Sequence, residues 1–124
     1  ELLLAQLREE SRLGADIPEG ADFAEQLASL CSTLEVLVGE VRELSLEDAE
    51  YPYRAAGDFL QLCGLILLAL AWGRAARVSR QLAEDDPLRA AKLETAGFFF
   101  SYLLPQAEQR VAAVRGARAA LAFI

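Results

Sequence analysis

The chain has 124 residues, 54% apolar and 25% charged, with 4 prolines and 8 glycines. That length suits one domain with one core, burying about two thirds of the surface its unfolded chain exposes, and the composition excludes the disordered and fibrous classes. The net charge of −7 is unevenly placed: residues 1–50 carry 13 acids and 3 bases, residues 51–124 carry 6 acids and 9 bases. Such polarity suits two helical layers that attract each other, and it lacks the concentrated basic surface that nucleic acid requires.

Taken in chain order, Glu1 to Leu13 has helical composition, with Leu3, Leu4 and Leu7 on one side and Gly14 where a C-terminal cap belongs. Ala15 to Ala21 holds Pro18 and Gly20 and reads as a loop, and Asp22 is placed to cap the next helix. That second helix carries Phe23, Leu27, Leu30, Leu34, Leu37, Val41 and Leu44 at alternating steps of four and three. This is the narrow seam of helices that cross at shallow angles. Ser45 to Glu50 reads as a connection, with Pro52 in the first turn of the third helix. The alternative is a helix that begins at Ser45 and is kinked by Pro52.

From Tyr53 to about Leu82 no proline intervenes, and Leu62 to Gly73 is an unbroken run of apolar and glycine residues. The run spans roughly 18 Å against the roughly 30 Å of a bilayer core, so it predicts a buried helix at the centre of a bundle, not a membrane span. Gly64 costs about 1 kcal/mol in mid-helix relative to alanine, which points to a close helix crossing there. Asp86 and Pro87 are placed to cap and open a fourth helix that runs to the end of the chain and bends at Pro105. The pattern predicts an all-α, antiparallel up-and-down helical bundle of three long helices plus a short N-terminal one, over residues 1–124 as one domain.

Little here suggests chemistry. There is no histidine, the commonest general base and transition-metal ligand, and two isolated cysteines do not build a zinc site. Cys31 and Cys63 lie inside apolar helical patterns, as reduced core thiols of a cytosolic protein do. No phosphate loop, nucleophile elbow or paired-carboxylate motif occurs. Asp58 is expected to pair with Arg54, one turn earlier, in preference to standing as a buried acid. Arg74, Arg77 and Arg80 are expected to complement the helix dipole and to face Glu19, Asp22 and Glu25 of the second helix, in preference to gripping a phosphate. No catalytic, cofactor-binding or metal-ligating residue is assigned to this chain, and neither nucleic acid nor membrane is expected as a partner.

The last helix presents two stripes. Leu93, Ala96, Phe100, Leu104, Ala107, Val111 and Val114 recur at steps of three and four and form the expected inner face. A second stripe, with Leu88, Ala91, Thr95, Phe98, Phe99 and Tyr102, lies more than a quarter turn away. Phe98, Phe99 and Tyr102 are the candidate interface. Either they form a docking patch directed away from the core, or the first helix covers them as part of it.

Two segments carry a family resemblance. The first is Ala56-Gly57-Asp58-Phe59-Leu60-Gln61-Leu62-Cys63-Gly64, followed by Ala71-Trp72 and Ala75-Ala76. The second is Lys92-Leu93-Glu94-Thr95-Ala96-Gly97-Phe98-Phe99, then Leu103-Leu104-Pro105, then Gly116-Ala117 and Leu121. Together they resemble, over roughly residues 56–121, the C-terminal domain appended to acyl-CoA dehydrogenases of the methylmercaptopropionyl-CoA dehydrogenase type. Asp58 stands where that family often has proline, Cys63 where it has phenylalanine, and Gly97 where it has arginine. The resemblance implies a fragment of a larger bacterial, cytoplasmic flavoenzyme of fatty acid metabolism, whose FAD introduces an α,β double bond into an acyl-CoA thioester. It implies as partners a preceding dehydrogenase domain or a second subunit, in a homo-oligomer such as a dimer. No family catalytic residue carries over to these positions. The competing reading is a free-standing helical adaptor or oligomerisation module.

Overall fold

The computed structural model describes residues 1–17 and 21–118, and every regular element among them is helical. α1 spans Leu2–Ala15, α2 Ala21–Glu47, α3 Tyr51–Ser79, α4 Pro87–Phe98 and α5 Gln106–Gly116, with a π-helical turn over Phe99–Leu103 between the last two. The directions follow from cross-bundle contacts. Arg8 of α1 pairs with Glu35 of α2, and Ser11 donates to the Ala24 carbonyl, so these helices are antiparallel. Gly73 abuts Leu27, and the Tyr51 hydroxyl donates to the Val114 carbonyl at 2.8 Å, so α3 opposes both α2 and the α4–α5 arm. The architecture is the predicted all-α up-and-down bundle, with its fourth helix broken in two.

Helix ends show where local signals operate. Asp86 adopts extended angles (φ −71°, ψ 120°) and its carboxylate accepts from the Leu88 N–H at 2.9 Å, with Pro87 opening α4 as expected. Pro52 lies in the first turn of α3 and α2 continues to Glu47, so the kinked alternative is not the one adopted. Ser45 stays helical, its hydroxyl donating to the Val41 carbonyl at 2.6 Å. Two capping expectations are corrected. Gly14 is a buried residue inside α1, which ends at Asp16 in right-handed geometry, and no described glycine has positive φ. α2 begins at Ala21, which puts Asp22 inside its first turn, where a carboxylate still meets the positive end of the dipole. Pro18 and Gly20 of the expected loop lie outside the described residues.

Pro105 does more than bend a continuous helix. It offers no N–H to the preceding turn, and its ring crowds the carbonyl one turn back. The chain answers by widening: the Leu104 N–H reaches the Phe99 carbonyl at 2.8 Å, a π-type bond, and α5 restarts after the proline. The widened turn brings both Phe99 and Phe100 into the core, their rings edge to face at 5.6 Å between centroids.

The core collects Leu7 from α1, Leu27, Leu34 and Leu37 from the α2 seam, Tyr51, Leu62 and Ile66 from α3, and Leu104, Val111 and Val114 from the last arm. α3 is the hub, contacting every other element. Two expectations about it need correction. Its outer side, with Tyr53, Leu60, Leu67, Leu68 and Val78, is exposed, because its neighbours cover only the face centred on Leu62, Ile66, Ala69 and Gly73. The close crossing falls at Gly73: a Cβ there would lie 2.8 Å from the Leu27 Cδ1, whereas one at Gly64 would meet nothing within 4 Å.

Candidate functional site

Among the described residues the most buried charge is Glu10, 2% exposed. Arg77 donates to it from Nε at 2.5 Å and from Nη2 at 3.1 Å, and Arg74 donates from Nε at 3.3 Å while its Nη2 reaches the Gln6 side chain at 2.8 Å. The hydrogen bond to Glu10 raises the Arg77 pKa above its ordinary value. Arg74 and Arg77 therefore face Glu10 of α1, and not the acids of the second helix that their place near a helix C-terminus suggests. Arg80 sits over the Phe23 ring at 5.6 Å from its centroid, while Glu19, one of the expected acids, lies outside the described residues. The signal for Glu10 is in the sequence: it follows Leu3 and Leu7 and precedes Gly14 on one helical stripe. A carboxylate held by two arginines ties α1 to α3.

The expected Arg54–Asp58 pair does not form. Arg54 turns to Asp48 (2.6 Å) and to the Ala117 carbonyl (2.9 Å), while Asp58 accepts from Arg110 of α5 at 2.8 Å. The Arg54 hydrogen bond holds the Asp48 carboxyl below the ordinary aspartate range, with the Glu50 backbone N–H adding to it. Cys31 is buried, its thiol 3.7 Å from the Leu4 carbonyl, and both cysteines are free thiols. Burial pushes the Cys63 thiol up, away from thiolate reactivity.

Two concavities flank α3. The larger, about 730 Å³, lies between α2 and α5 with Leu62 and Ile66 as its floor and Gln26, Thr33, Glu108 and Arg115 at its rim. The stacked rings of Phe23 and Phe100, 4.3 Å apart, close one end, and the bidentate Arg115–Glu40 pair, at 2.8 and 3.1 Å, closes the other. A dinucleotide such as FAD needs backbone amides at a helix start or available cations for its diphosphate. Among the described residues Arg115 is the one cation lining this groove, and Glu40 already engages its Nε and Nη2, so the described lining does not fit that cofactor. The smaller hollow, about 490 Å³, is lined by Val41, Pro52, Ala56, Phe59, Leu60 and Cys63, among others, without a charged side chain.

The surface carries the remaining candidates. Tyr53, Leu60, Leu67, Leu68 and Val78 lie on one side of α3, interleaved with Gly57, Gly64, Ala71 and Ala75 and with no charged residue at the centre of the stripe. Among the described residues α3 is the helix long and apolar enough to cross a membrane by length and composition, and Arg54, Asp58, Arg74 and Arg77 make ion pairs along it. Of the three candidate interface residues, Phe98 (55% exposed) and Tyr102 (69%) stack on each other at 5.2 Å on the outside of the last arm. Phe99 is 2% exposed and belongs to the core, turned inward by the π-helical turn. α1 packs on α2 and α3 and leaves the Phe98–Tyr102 pair uncovered.

A family model described as acetyl-CoA dehydrogenase C-terminal like matches residues 3–123. No curated protein and no solved structure matches the chain.

Proposed function

Because the chain belongs to the acetyl-CoA dehydrogenase C-terminal-like family, we propose that it is the non-catalytic structural and interaction domain of an FAD-dependent acyl-CoA dehydrogenase, docked on the dehydrogenase body through the outer face of α3. The parent enzyme is of the methylmercaptopropionyl-CoA dehydrogenase type, cytoplasmic, and converts an acyl-CoA thioester to the 2,3-enoyl-CoA. The observation that carries the docking role is the α3 stripe itself. Large side chains from Tyr53 to Val78 stand exposed along roughly 40 Å of helix with no charge at the centre of the stripe, and an apolar patch of that extent marks an interaction surface. In this reading FAD and the catalytic base reside in the preceding domain.

The test is made in the full-length enzyme with a Leu67→Glu, Leu68→Glu double variant. Wild type should stay one particle after a protease nicks the link between body and domain, and the variant should release the domain with its helix content intact. Release of both, retention of both, or loss of the wild-type particle only when vesicles are added overturns the assignment. Flavin colour or acyl-CoA-dependent dye reduction by the separated domain would equally reject it. A second reading, self-association through the stacked Phe98 and Tyr102 pair, predicts that a Phe98→Ser, Tyr102→Ser variant halves the sedimenting mass.

A further inference from the structure

We propose that the hollow beside the start of α3 is the seat of a helix preceding α1 in the same polypeptide, laid antiparallel to α2 in line with α1. The inference rests on the reading of the chain as one domain of a longer enzyme. It concerns the hollow that adjoins the outer α3 stripe, with Leu60 on their common edge.

The track that α1 already follows points to that seat. On α2, the contacts climb as α1 is traced back toward its beginning: Ser11 meets Ala24, the Leu4 carbonyl meets Cys31, and the long Arg8 side chain reaches up to Glu35. Ala24, Cys31 and Glu35 lie on one side of α2, and the next positions on that side are Val38, Arg42 and Leu46. On α3 the contacts descend: Glu10 meets Arg77 and Arg74, and Gln6 meets Arg74. Continuing down that side of α3 at helical steps gives Leu70, Cys63, Phe59, Ala56 and Pro52.

Four of those five α3 residues line the hollow, with Val41 of α2 opposite. The groove that α1 fills in one half of the bundle therefore continues into the other, where none of the described residues fills it. Leu60, 73% exposed, lines it on α3, and Leu46, 89% exposed, follows Val38 and Arg42 on the facing side of α2, neither covered by another described residue. From the level of Leu70 to that of Pro52 is about 27 Å at 1.5 Å per residue, which a helix of roughly 18 residues covers. Its chemistry is dictated by the walls. Apolar residues at steps of three and four must face Phe59 and Cys63, and an acidic side chain must fall near the exposed Arg42. Such a helix would be continuous with α1, so no new chain reversal is needed to bring it there.

The experiment uses the full-length enzyme with p-benzoylphenylalanine introduced at Leu46. Irradiation followed by peptide mapping should give a cross-link to the segment immediately preceding Glu1, within one chain. Cross-links to distant parts of the dehydrogenase body, to a second subunit, or to nothing overturn the proposal while leaving the docking role of the outer α3 face standing. Should the bulky group disturb folding, the native Cys63 supplies an independent readout. N-ethylmaleimide should label it in the folded full-length enzyme about tenfold or more slowly than in guanidinium, because labelling then waits on local opening. Equal rates overturn the proposal. A gene with no coding sequence before Glu1 removes both readings at once.

Discussion

Two glycines of α3 should respond to the same substitution with opposite sign. At Gly73 an alanine Cβ would stand 2.8 Å from the Leu27 Cδ1 and 3.8 Å from the Phe100 Cζ. Leu27 is buried in the seam and cannot swing into solvent, so the contact is relieved only by displacing packed neighbours. Overpacking of this kind costs about 1–3 kcal/mol, and the better helix propensity of alanine returns about 1 kcal/mol. Gly73→Ala should therefore lose about 1 kcal/mol, a fall of roughly 3–5 °C in Tm for a chain of this size. At Gly64 there is nothing within 4 Å, so only the propensity operates and Gly64→Ala should gain about 0.5–1 kcal/mol. Leu27→Val shortens the obstructing branch. Combined with Gly73→Ala it should be less harmful than the two single losses added, by about 1 kcal/mol. Guanidinium unfolding followed by far-UV circular dichroism reads the four variants against wild type. A Gly73→Ala midpoint at or above wild type, or a Gly64→Ala midpoint below it, refutes the reasoning.

Three further outcomes follow from named contacts. Glu10→Ala strands two guanidinium groups that are partly open to water, so the cost should be about 2–3 kcal/mol in thermal unfolding; a loss under about 0.5 kcal/mol would deny the clamp its role. Tyr51→Phe removes the donor to the buried Val114 carbonyl and should cost about 1–2 kcal/mol at neutral pH. Burial first, then Glu40, raises the Tyr51 pKa above 10.0, so the stability from its neutral phenol is complete below that pH and is lost as pH climbs through the folded value. The Tyr51→Phe protein should show a flatter fall in stability above about pH 10 than wild type, and parallel curves would contradict this. Asp86→Ala deletes the α4 cap and should cost about 1 kcal/mol, measurable as a shifted denaturant midpoint; an unchanged midpoint contradicts it.

Whatever depends on periodicity is legible in the sequence. The α2 seam turns inward as its steps of three and four require, settled by geometry within one helix, and the stripe from Leu93 to Val114 does so on both sides of the break at Pro105. Bare spacing says nothing about which neighbours arrive. α3 is apolar on all sides, and only the packing reveals that its outer side stays open. Likewise Arg54 has an acid one turn away, yet Asp48 and the Ala117 carbonyl offer better geometry than Asp58 does. Counting 100° per residue puts Phe99 on the outer stripe, and the π-helical turn forced by Pro105 changes that count just where it matters. Glu10 is legible too, since its place on the Leu3–Leu7–Gly14 stripe marks an acid aimed at the interior.

The ion pairs that cross the bundle act as alignment pins. Leucine-rich seams are nearly indifferent to a slide of one helical turn, about 5.4 Å, because such a slide brings leucine against leucine again. Glu10 against Arg74 and Arg77 and Glu40 against Arg115 tie the acidic half to the basic half near opposite ends of α3. A slide in either direction breaks both ties together and leaves Glu10 buried without a counter-charge, a cost of several kcal/mol that no apolar contact replaces. The uneven charge of the chain thus contributes little net stability and much discrimination: it separates one assembly of these helices from the shifted ones that hydrophobic packing alone would accept almost equally well.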